Sequence, residues 1–217
     1  MLLSDEEIRV LGCLVEKSLT TPQQYPLTEA AVLSAANQTT NRDPVVHYDQ
    51  ATVRRALLDL RSQGLARIVQ RPGDRVPKHR HLLDEALDLD EPAVAVLAVL
   101  MLRGPQTAAE LRSRCERLHP FASVDEVVAV LDALAARDEP LVQRIPRRPG
   151  QKEDRYSHLL QGDLAAYGLE AAAPAAAEEP PAGSPRTLDA LLAEVAALRE
   201  EVAALRAEVA ALRGDAS

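Results

Sequence analysis

The sequence predicts a mainly α-helical protein with small β-hairpins, in which one structural unit occurs twice ahead of a C-terminal helix. Aromatic residues make up only 2% of the 217 residues. The core must therefore be built from Leu, Val and Ala, which favours helices over a β-sandwich. A basic segment with a Pro-Gly turn, RIVQRPGDRVPKHRHLL, recurs 77 residues later as RIPRRPGQKEDRYSHLL. A heptad pattern of Leu and Val then follows near the C-terminus.

Three helices are predicted in the first unit, residues 1–84. The segment Ser4-Asp5-Glu6-Glu7 has the pattern of a capping box ahead of apolar residues, which predicts a first helix over about residues 5–17. Thr28 and Asp49 are suited to cap the second and third helices. Gly64 fits the left-handed position that ends the third helix.

A β-hairpin is predicted after the third helix. Its strands span 65–71 and 75–82, and Pro72-Gly73 forms the turn between them. Three helices followed by a hairpin are the order of a winged helix-turn-helix domain, in which the hairpin is the wing. The preceding segment TTPQQYPLT is predicted to be a loop because its two prolines exclude a helix.

The same order of elements is predicted in the second unit, residues 85–169. A helix over 91–102 is apolar throughout its middle and is expected to be buried on all sides. Thr107 and Ser123 are suited to cap the next two helices, and a second wing follows. The third helices of the two units are expected to match at the same separation of 77 residues. The fold class is therefore a pair of tandem winged helix-turn-helix domains.

A linker and a coiled-coil helix are predicted after the two units. Residues 170–187 are rich in Ala, Pro and Glu and have little to bury, which is typical of a disordered linker. Residues 188–213 have apolar side chains at the a and d positions of a heptad repeat, with Glu at g and Arg at e, which favours a parallel homodimer. A lone amphipathic helix packed on the body is the alternative. The predicted dimerisation residues are Leu188, Leu191, Val195, Leu198, Val202, Leu205, Val209 and Leu212.

Four segments together resemble the YceH-like family of uncharacterised bacterial proteins. They are LVEKSLTTPQQYPL (14–27), NQTTNRDPV (37–45), LRGPQTAAELRSRCERL (102–118) and RRPGQKEDRYSHL (147–159). The resemblance implies tandem winged-helix domains and an acidic helical tail. It implies no established activity and no catalytic residues. Ala36 and Ala109 stand where relatives often have Cys and Gly, which does not threaten the fold.

Charge restricts any nucleic-acid contact to a local patch, because the net charge is −8. The first unit has a net charge of +1, the second −4 and the remaining residues −5. The third helix and wing of the first unit contain the side chains that typically contact phosphates and base edges of double-stranded DNA. The predicted DNA-binding residues are Gln50, Thr52, Arg54, Arg55, Arg61, Arg67, Arg71, Arg75, Lys78 and Arg80.

Two alternatives to DNA binding remain open. The third helix of the second unit contains Asp125, Glu126, Asp132 and Asp138, which would repel phosphate. The second unit is therefore expected to pack against a protein partner, and the whole chain is alternatively an acidic tandem winged-helix adaptor. An effector-binding regulator is the third interpretation, and it requires a pocket.

Neither catalysis nor a cofactor is predicted. Cys13 and Cys115 lie far apart, and no nucleophile with a base, phosphate-binding loop or carboxylate pair is evident. His79 and His81 alternate on a strand but have no third metal ligand nearby, so a metal site is not expected. The polar loop over 37–42 either forms a ligand site or binds its own backbone, and the second interpretation is preferred. No signal peptide or membrane span is predicted, which favours the cytoplasm.

Overall fold

A computed structural model describes residues 2–70, 73–147 and 150–162. Within these ranges the chain is mainly helical, with seven α-helices and two small antiparallel sheets. The described residues all belong to one compact unit. The predicted linker over 170–187 and the predicted coiled-coil helix over 188–213 lie outside the described residues.

The first half of the unit contains four helices and a three-stranded sheet. Its helices are α1 (Asp5–Thr20), α2 (Glu29–Ala36), α3 (Gln50–Ser62) and the short α4 (Leu83–Leu87). Its strands are β1 (Leu27–Thr28), β2 (Ala66–Val69) and β3 (Lys78–His81). Strand β3 lies in the middle and pairs antiparallel with both neighbours. The hairpin therefore lies directly after α3, as predicted.

The second half repeats most of this order. Its elements are α5 (Glu91–Arg103), α6 (Ala108–Cys115), α7 (Val124–Ala135), β4 (Val142–Ile145) and β5 (Arg155–His158). Strands β4 and β5 form a two-stranded antiparallel sheet. A single bridge between Gln106 and Tyr156 occupies the place that the β1–β3 ladder has in the first half.

Hydrogen bonds confirm the helix caps predicted from the sequence. The Glu7 backbone N–H donates to Ser4 Oγ at 3.2 Å, and the Ser4 N–H donates to Glu7 Oε2 at 2.7 Å, which completes the capping box. The other predicted caps also accept a backbone hydrogen bond from the first turn of their helices. They are Thr28, Asp49, Thr107 and Ser123.

Several boundaries differ from the predicted ones. Helix α1 extends to Thr20 rather than 17, and the hydroxyl of Thr20 donates to the Glu16 carbonyl at 2.8 Å in its last turn. Strands β2 and β3 are shorter than predicted. Strand β1 lies within the segment predicted as a loop, because its pairing with distant β3 is not visible in the local sequence. Helix α4 was also not predicted.

The core is centred on the contact between α1 and α5. Residues 93–102 of α5 are all buried, which confirms the prediction that this helix is covered on all sides. Gly12 of α1 allows the close approach, because a Cβ atom there would lie 3.0 Å from Leu102 Cδ2 and 3.2 Å from Met101 Cβ. The two halves therefore share one apolar core.

The hairpins of the two halves are equivalent, but not in the alignment that the sequence suggests. Ala66 pairs with His81 in the first hairpin, and Val142 pairs with His158 in the second. The second strands therefore correspond at a separation of 77 residues, but the first strands correspond at 76. The match between the Arg-Ile dipeptides of the two hairpins is wrong by one residue, and such a slip moves a side chain to the opposite face.

The third helices correspond at yet another separation. The buried positions of α3 recur 74 residues later in α7: Val53, Leu57 and Leu60 correspond to Val127, Leu131 and Leu134. A separation of 77 is wrong for these helices, because it matches buried Ala56 with exposed Ala133. The backbone length between the third helix and the hairpin therefore differs between the halves.

The same backbone hydrogen bond closes this junction in both halves. The Leu65 N–H donates to the Leu60 carbonyl at 2.9 Å, and the Leu141 N–H donates to the Leu134 carbonyl at 3.1 Å. Four residues lie between the bonded pair in the first half and six in the second. The two additional residues are therefore accommodated without loss of the closing hydrogen bond.

A branched side chain at Gly12 should destabilise the shared core. We expect Gly12→Val to lower the free energy of unfolding by about 1–3 kcal/mol, because the new atoms would overlap Leu102 and Met101. Urea denaturation of the full chain measures this effect. Ala30→Val, at an exposed position of α2, is the matched control and should change stability much less. Equal losses in both variants would contradict the close contact between α1 and α5.

Candidate nucleic-acid interface

The predicted DNA-binding residues of α3 lie on its outer face. Val53, Ala56, Leu57 and Leu60 are buried, so this helix packs one side against the core. The opposite side therefore faces outward. Its exposed polar residues include Gln50, Arg54, Arg55 and Arg61, whereas Thr52 is half-buried.

Two of the arginines on α3 are paired with carboxylates. Arg54 donates to both Glu29 oxygens, at 2.9 and 3.2 Å, and this hydrogen bonding is the main reason that the pKa of Glu29 is lowered. Arg55 donates to Asp59 at 2.8 Å, one helical turn away. Both arginine side chains remain more than half exposed, so these pairs contribute little to stability.

Two cations of the hairpin region are also paired. Lys78 lies 3.1 Å from Asp74 at the hairpin, and Arg80 lies 2.6 Å from Glu85 of α4. Arg71 lies outside the described residues. The remaining cations of the predicted site make no ion pair with any carboxylate of the described residues. They are Arg61, Arg67 and Arg75, and all three are exposed.

One electrostatic contact connects α3 with the hairpin. Burial lowers the pKa of His79 on β3, and the positive charge of Arg61 at the end of α3 lowers it further. Arg61 is therefore close enough to the central strand to influence it. The structure thus brings the cationic end of α3 together with the strands of the hairpin.

The equivalent surface of the second half has a different charge. Asp125, Glu126 and Asp132 are exposed on α7. In the second hairpin, Arg144 donates to Asp154 at 2.6 Å, and Arg155 lies 3.0 Å from Glu110 of α6. Its helix is therefore acidic, and these two hairpin arginines are already paired.

The polar loop over 37–42 is a structural element of the first half. The Asn37 side chain donates to the Tyr48 carbonyl and accepts from the Tyr48 N–H, both at 2.8 Å. These two hydrogen bonds join the ends of the long connection between α2 and α3. They agree with the preferred interpretation that the loop binds its own backbone.

A buried ion pair attaches this loop to α1. Arg42 is fully buried and donates to Glu16 Oε2 at 2.7 Å, to Glu16 Oε1 at 3.0 Å and to the Ala35 carbonyl at 3.1 Å. Burial raises the pKa of Glu16, but the hydrogen bonds and charge of Arg42 outweigh that effect and the net shift is downward. Sequence reasoning missed Glu16, because nothing local shows that a helical glutamate meets a residue 26 positions later.

The three histidines at the hairpin bases are buried. His81 Nε2 lies 3.0 Å from Ser18 Oγ, and the His81 backbone N–H donates to the Tyr25 hydroxyl at 2.7 Å. His158 corresponds to His81 in the second half, and burial lowers its pKa to about 4. His79 and His158 have similarly low exposure. These residues have structural positions beneath the hairpins.

Both cysteines belong to the core. Burial raises the pKa of Cys13 to about 11 and that of Cys115 to about 12, so both thiols stay protonated near neutral pH. Among the described residues, no three His, Cys, Asp or Glu side chains are grouped so that they could bind a metal ion. The described helices also include none with the length and apolar character needed to cross a membrane.

Comparisons with known proteins give a consistent result. The family model described as "Protein of unknown function, DUF480" matches residues 3–151. A UPF0502 protein of Geotalea uraniireducens is 54% identical over 163 residues, which cover 75% of this chain and 74% of that protein. A UPF0502 protein of Mesorhizobium japonicum is 49% identical over 200 residues, covering 91% and 93% of the two chains.

Removal of Arg42 should strongly destabilise the protein. We expect Arg42→Met to lower the free energy of unfolding by about 3–5 kcal/mol, because Glu16 would retain a largely buried charge without its partner. Chemical denaturation of the full chain at pH 7 measures the loss. Arg55→Met, which removes an exposed pair, should cost less than about 1 kcal/mol. Similar losses in both variants would refute the structural role of the Arg42–Glu16 pair.

His158 should make stability depend on pH. Its folded-state pKa of about 4 lies below the ordinary value of 6.5, so the unfolded chain takes up the proton first as pH falls. Stability should therefore decrease from pH 6.5 to 4, by up to about 3 kcal/mol from this residue. His158→Gln should reduce the slope of unfolding free energy against pH. His47→Gln replaces an exposed histidine and should leave the slope unchanged; if both variants keep the wild-type slope, the prediction fails.

Proposed function

We propose that this chain, which belongs to the protein family of unknown function DUF480, binds double-stranded DNA through α3 and the β2–β3 hairpin. In this proposal each half is a winged helix-turn-helix domain, and only the first contacts DNA. Helix α3 would enter the major groove, and the hairpin would follow the phosphate backbone as a wing. The chain would act as a regulator or an architectural protein in the cytoplasm.

One observation supports this proposal most directly. Arg61, Arg67 and Arg75 are exposed on α3 and the hairpin, and no carboxylate of the described residues pairs with them. A cation that lacks an internal partner can neutralise a phosphate and release a counterion without first losing an ion pair. Among the residues predicted for the site, these three are the strongest candidates for phosphate contacts.

The paired cations are also compatible with DNA contact. Arg54 and Arg55 are well exposed, and exposed ion pairs contribute only about 0–1 kcal/mol. A phosphate or a guanine edge can therefore replace Glu29 or Asp59 as the partner of these guanidinium groups. Gln50, at the start of the same helix, supplies an amide that can read an adenine edge.

The predicted dimer would extend this mode of binding. Two chains joined through residues 188–213 would present two copies of the site to two half-sites of DNA. Sedimentation of the full chain and of a truncation at residue 170 tests this part of the proposal. A dimeric full chain and a monomeric truncation are the expected result, and two monomers would refute the coiled coil.

The acidic face of α7 favours a second candidate function. Exposed Asp125, Glu126 and Asp132 suit an adaptor that binds a basic partner protein through the second half. A pulldown from native extract with nuclease present would then recover a stoichiometric partner. Asp125→Asn with Asp132→Asn should release that partner. If the captured protein is lost on nuclease treatment, the adaptor function is refuted.

Removal of the three unpaired arginines should weaken DNA binding and its salt dependence. We expect the triple variant Arg61→Ala, Arg67→Ala, Arg75→Ala to reduce the slope of log Kobs against log salt by about 2.7, or about 0.9 for each phosphate contact. Fluorescence anisotropy with a random-sequence duplex, measured with the full chain between about 50 and 200 mM salt, gives this slope.

A charge-matched control separates local contact from general attraction. Arg117, Arg137 and Arg147 are exposed in the second half, and their replacement by Ala removes the same number of charges. This control should retain most of the affinity and slope. Absence of any binding at low salt, or equal losses in the two triple variants, would refute DNA contact through the first half.

A further inference from the structure

A cavity of about 330 Å³ lies where the two halves meet. Its walls come from the start of α1, the loop over 43–48, the end of α5 and the segments around β5. The apolar part of the wall includes Ile8, Val46, Leu100 and Met101. This volume lies near the lower limit of ordinary ligand sites, which are about 300–1,000 Å³, so it suits a small molecule.

Arg9 is a buried cation in the wall of this cavity. Its exposed fraction is only 4%, and its Nη2 donates to the Pro44 carbonyl at 2.5 Å. Its Nη1 is buried and has no hydrogen-bond partner, and no carboxylate of the described residues forms an ion pair with it. Burial lowers the pKa of Arg9, which reflects the cost of a guanidinium removed from water. An unpaired buried charge of this kind is unusual in a folded protein.

His158 adds a second unsatisfied polar atom to the same cavity. Its exposed fraction is 5%, and its Nδ1 is buried without a partner. Burial keeps the ring neutral near pH 7, so one ring nitrogen can donate a hydrogen bond without adding charge. Two buried polar groups from separate halves of the chain therefore line one cavity, each lacking a hydrogen bond that a ligand can supply.

The charges around the cavity restrict the class of ligand. Guanidinium groups bind carboxylates with two parallel hydrogen bonds, and a neutral imidazole can donate a third. Asp5 and Asp43 also line the cavity and are exposed, and neither pairs with Arg9. Their negative charges disfavour a dianion such as phosphate. A ligand with a single negative charge and an apolar body matches both the polar and the apolar parts of the wall.

We infer that this cavity binds a small monocarboxylate with a short apolar body. The carboxylate accepts hydrogen bonds from Arg9 and His158, and the apolar body packs against Met101 and Val46. Because α1 belongs to the first half and β5 to the second, the ligand contacts both halves. This site does not depend on DNA binding, and it supplies the pocket that an effector-binding protein requires.

Calorimetric titration of the full chain, without DNA, tests the inference. The probes are hexanoate and benzoate, with hexanamide and benzamide as uncharged controls of the same shape and inorganic phosphate as a dianionic control. We expect at least one carboxylate to bind at least about tenfold more tightly than its amide and than phosphate. Equal affinity for acid and amide, preference for phosphate, or no binding of either carboxylate would overturn the inference.

Two variants localise the site. Arg9→Met keeps the length of the side chain and removes the charge, and it should weaken carboxylate binding at least about tenfold. Its thermal stability should not fall, because an unpaired buried charge is removed. Arg117→Met is the matched control, since Arg117 is exposed and does not line this cavity, and it should bind as the wild type does. Unchanged carboxylate binding in Arg9→Met would overturn the inference.

A third variant keeps the inference testable if Arg9→Met does not fold. Val46→Phe retains Arg9 and fills part of the cavity from the loop side. It should weaken hexanoate binding while leaving the far-ultraviolet circular dichroism spectrum unchanged. If a folded Val46→Phe protein binds hexanoate as the wild type does, the carboxylate lies elsewhere and the assignment of this cavity is wrong.

Discussion

The contact between α1 and α5 is the constraint on which the rest of the structure depends. Helix α5 is apolar through its middle and buried on every side, so it cannot be stable unless other elements cover it completely. Helix α1 comes closest where Gly12 has no side chain. This contact fixes the two halves as parts of one compact unit, and it places their hairpins and third helices on a shared core.

Local features were predictable from the sequence, whereas features that depend on distant residues were not. Helix caps such as Ser4 and Thr107 were correct because the cap and its partner lie three residues apart. The Arg-Ile match between the hairpins was wrong because chance identity in a short basic segment is weaker evidence than strand pairing. Strand β1 was missed for the same reason, since its partner is about fifty residues away.

Charge was the least predictable property of the candidate site. The sequence correctly indicates which cations lie on the outer face of α3, because helical spacing separates them from the buried Leu57 and Leu60. It does not indicate which of them are paired. Glu29 lies 25 residues before Arg54 in the chain, and only the fold brings them together. The buried position of Arg9 was likewise invisible, since it precedes apolar Val10 in a helix whose first turn is acidic.

The junction between the third helix and the hairpin has a practical consequence for experiments on this protein. The hydrogen bond that closes it is the same in both halves, although the second half contains two additional residues there. The chain thus provides its own example of an insertion that leaves the flanking elements in register. The exposed residues Asp138 and Glu139 lie in this longer segment, far in sequence from both Arg9 and Arg61. A short epitope or a fluorophore-labelling peptide can be introduced there as an internal reporter.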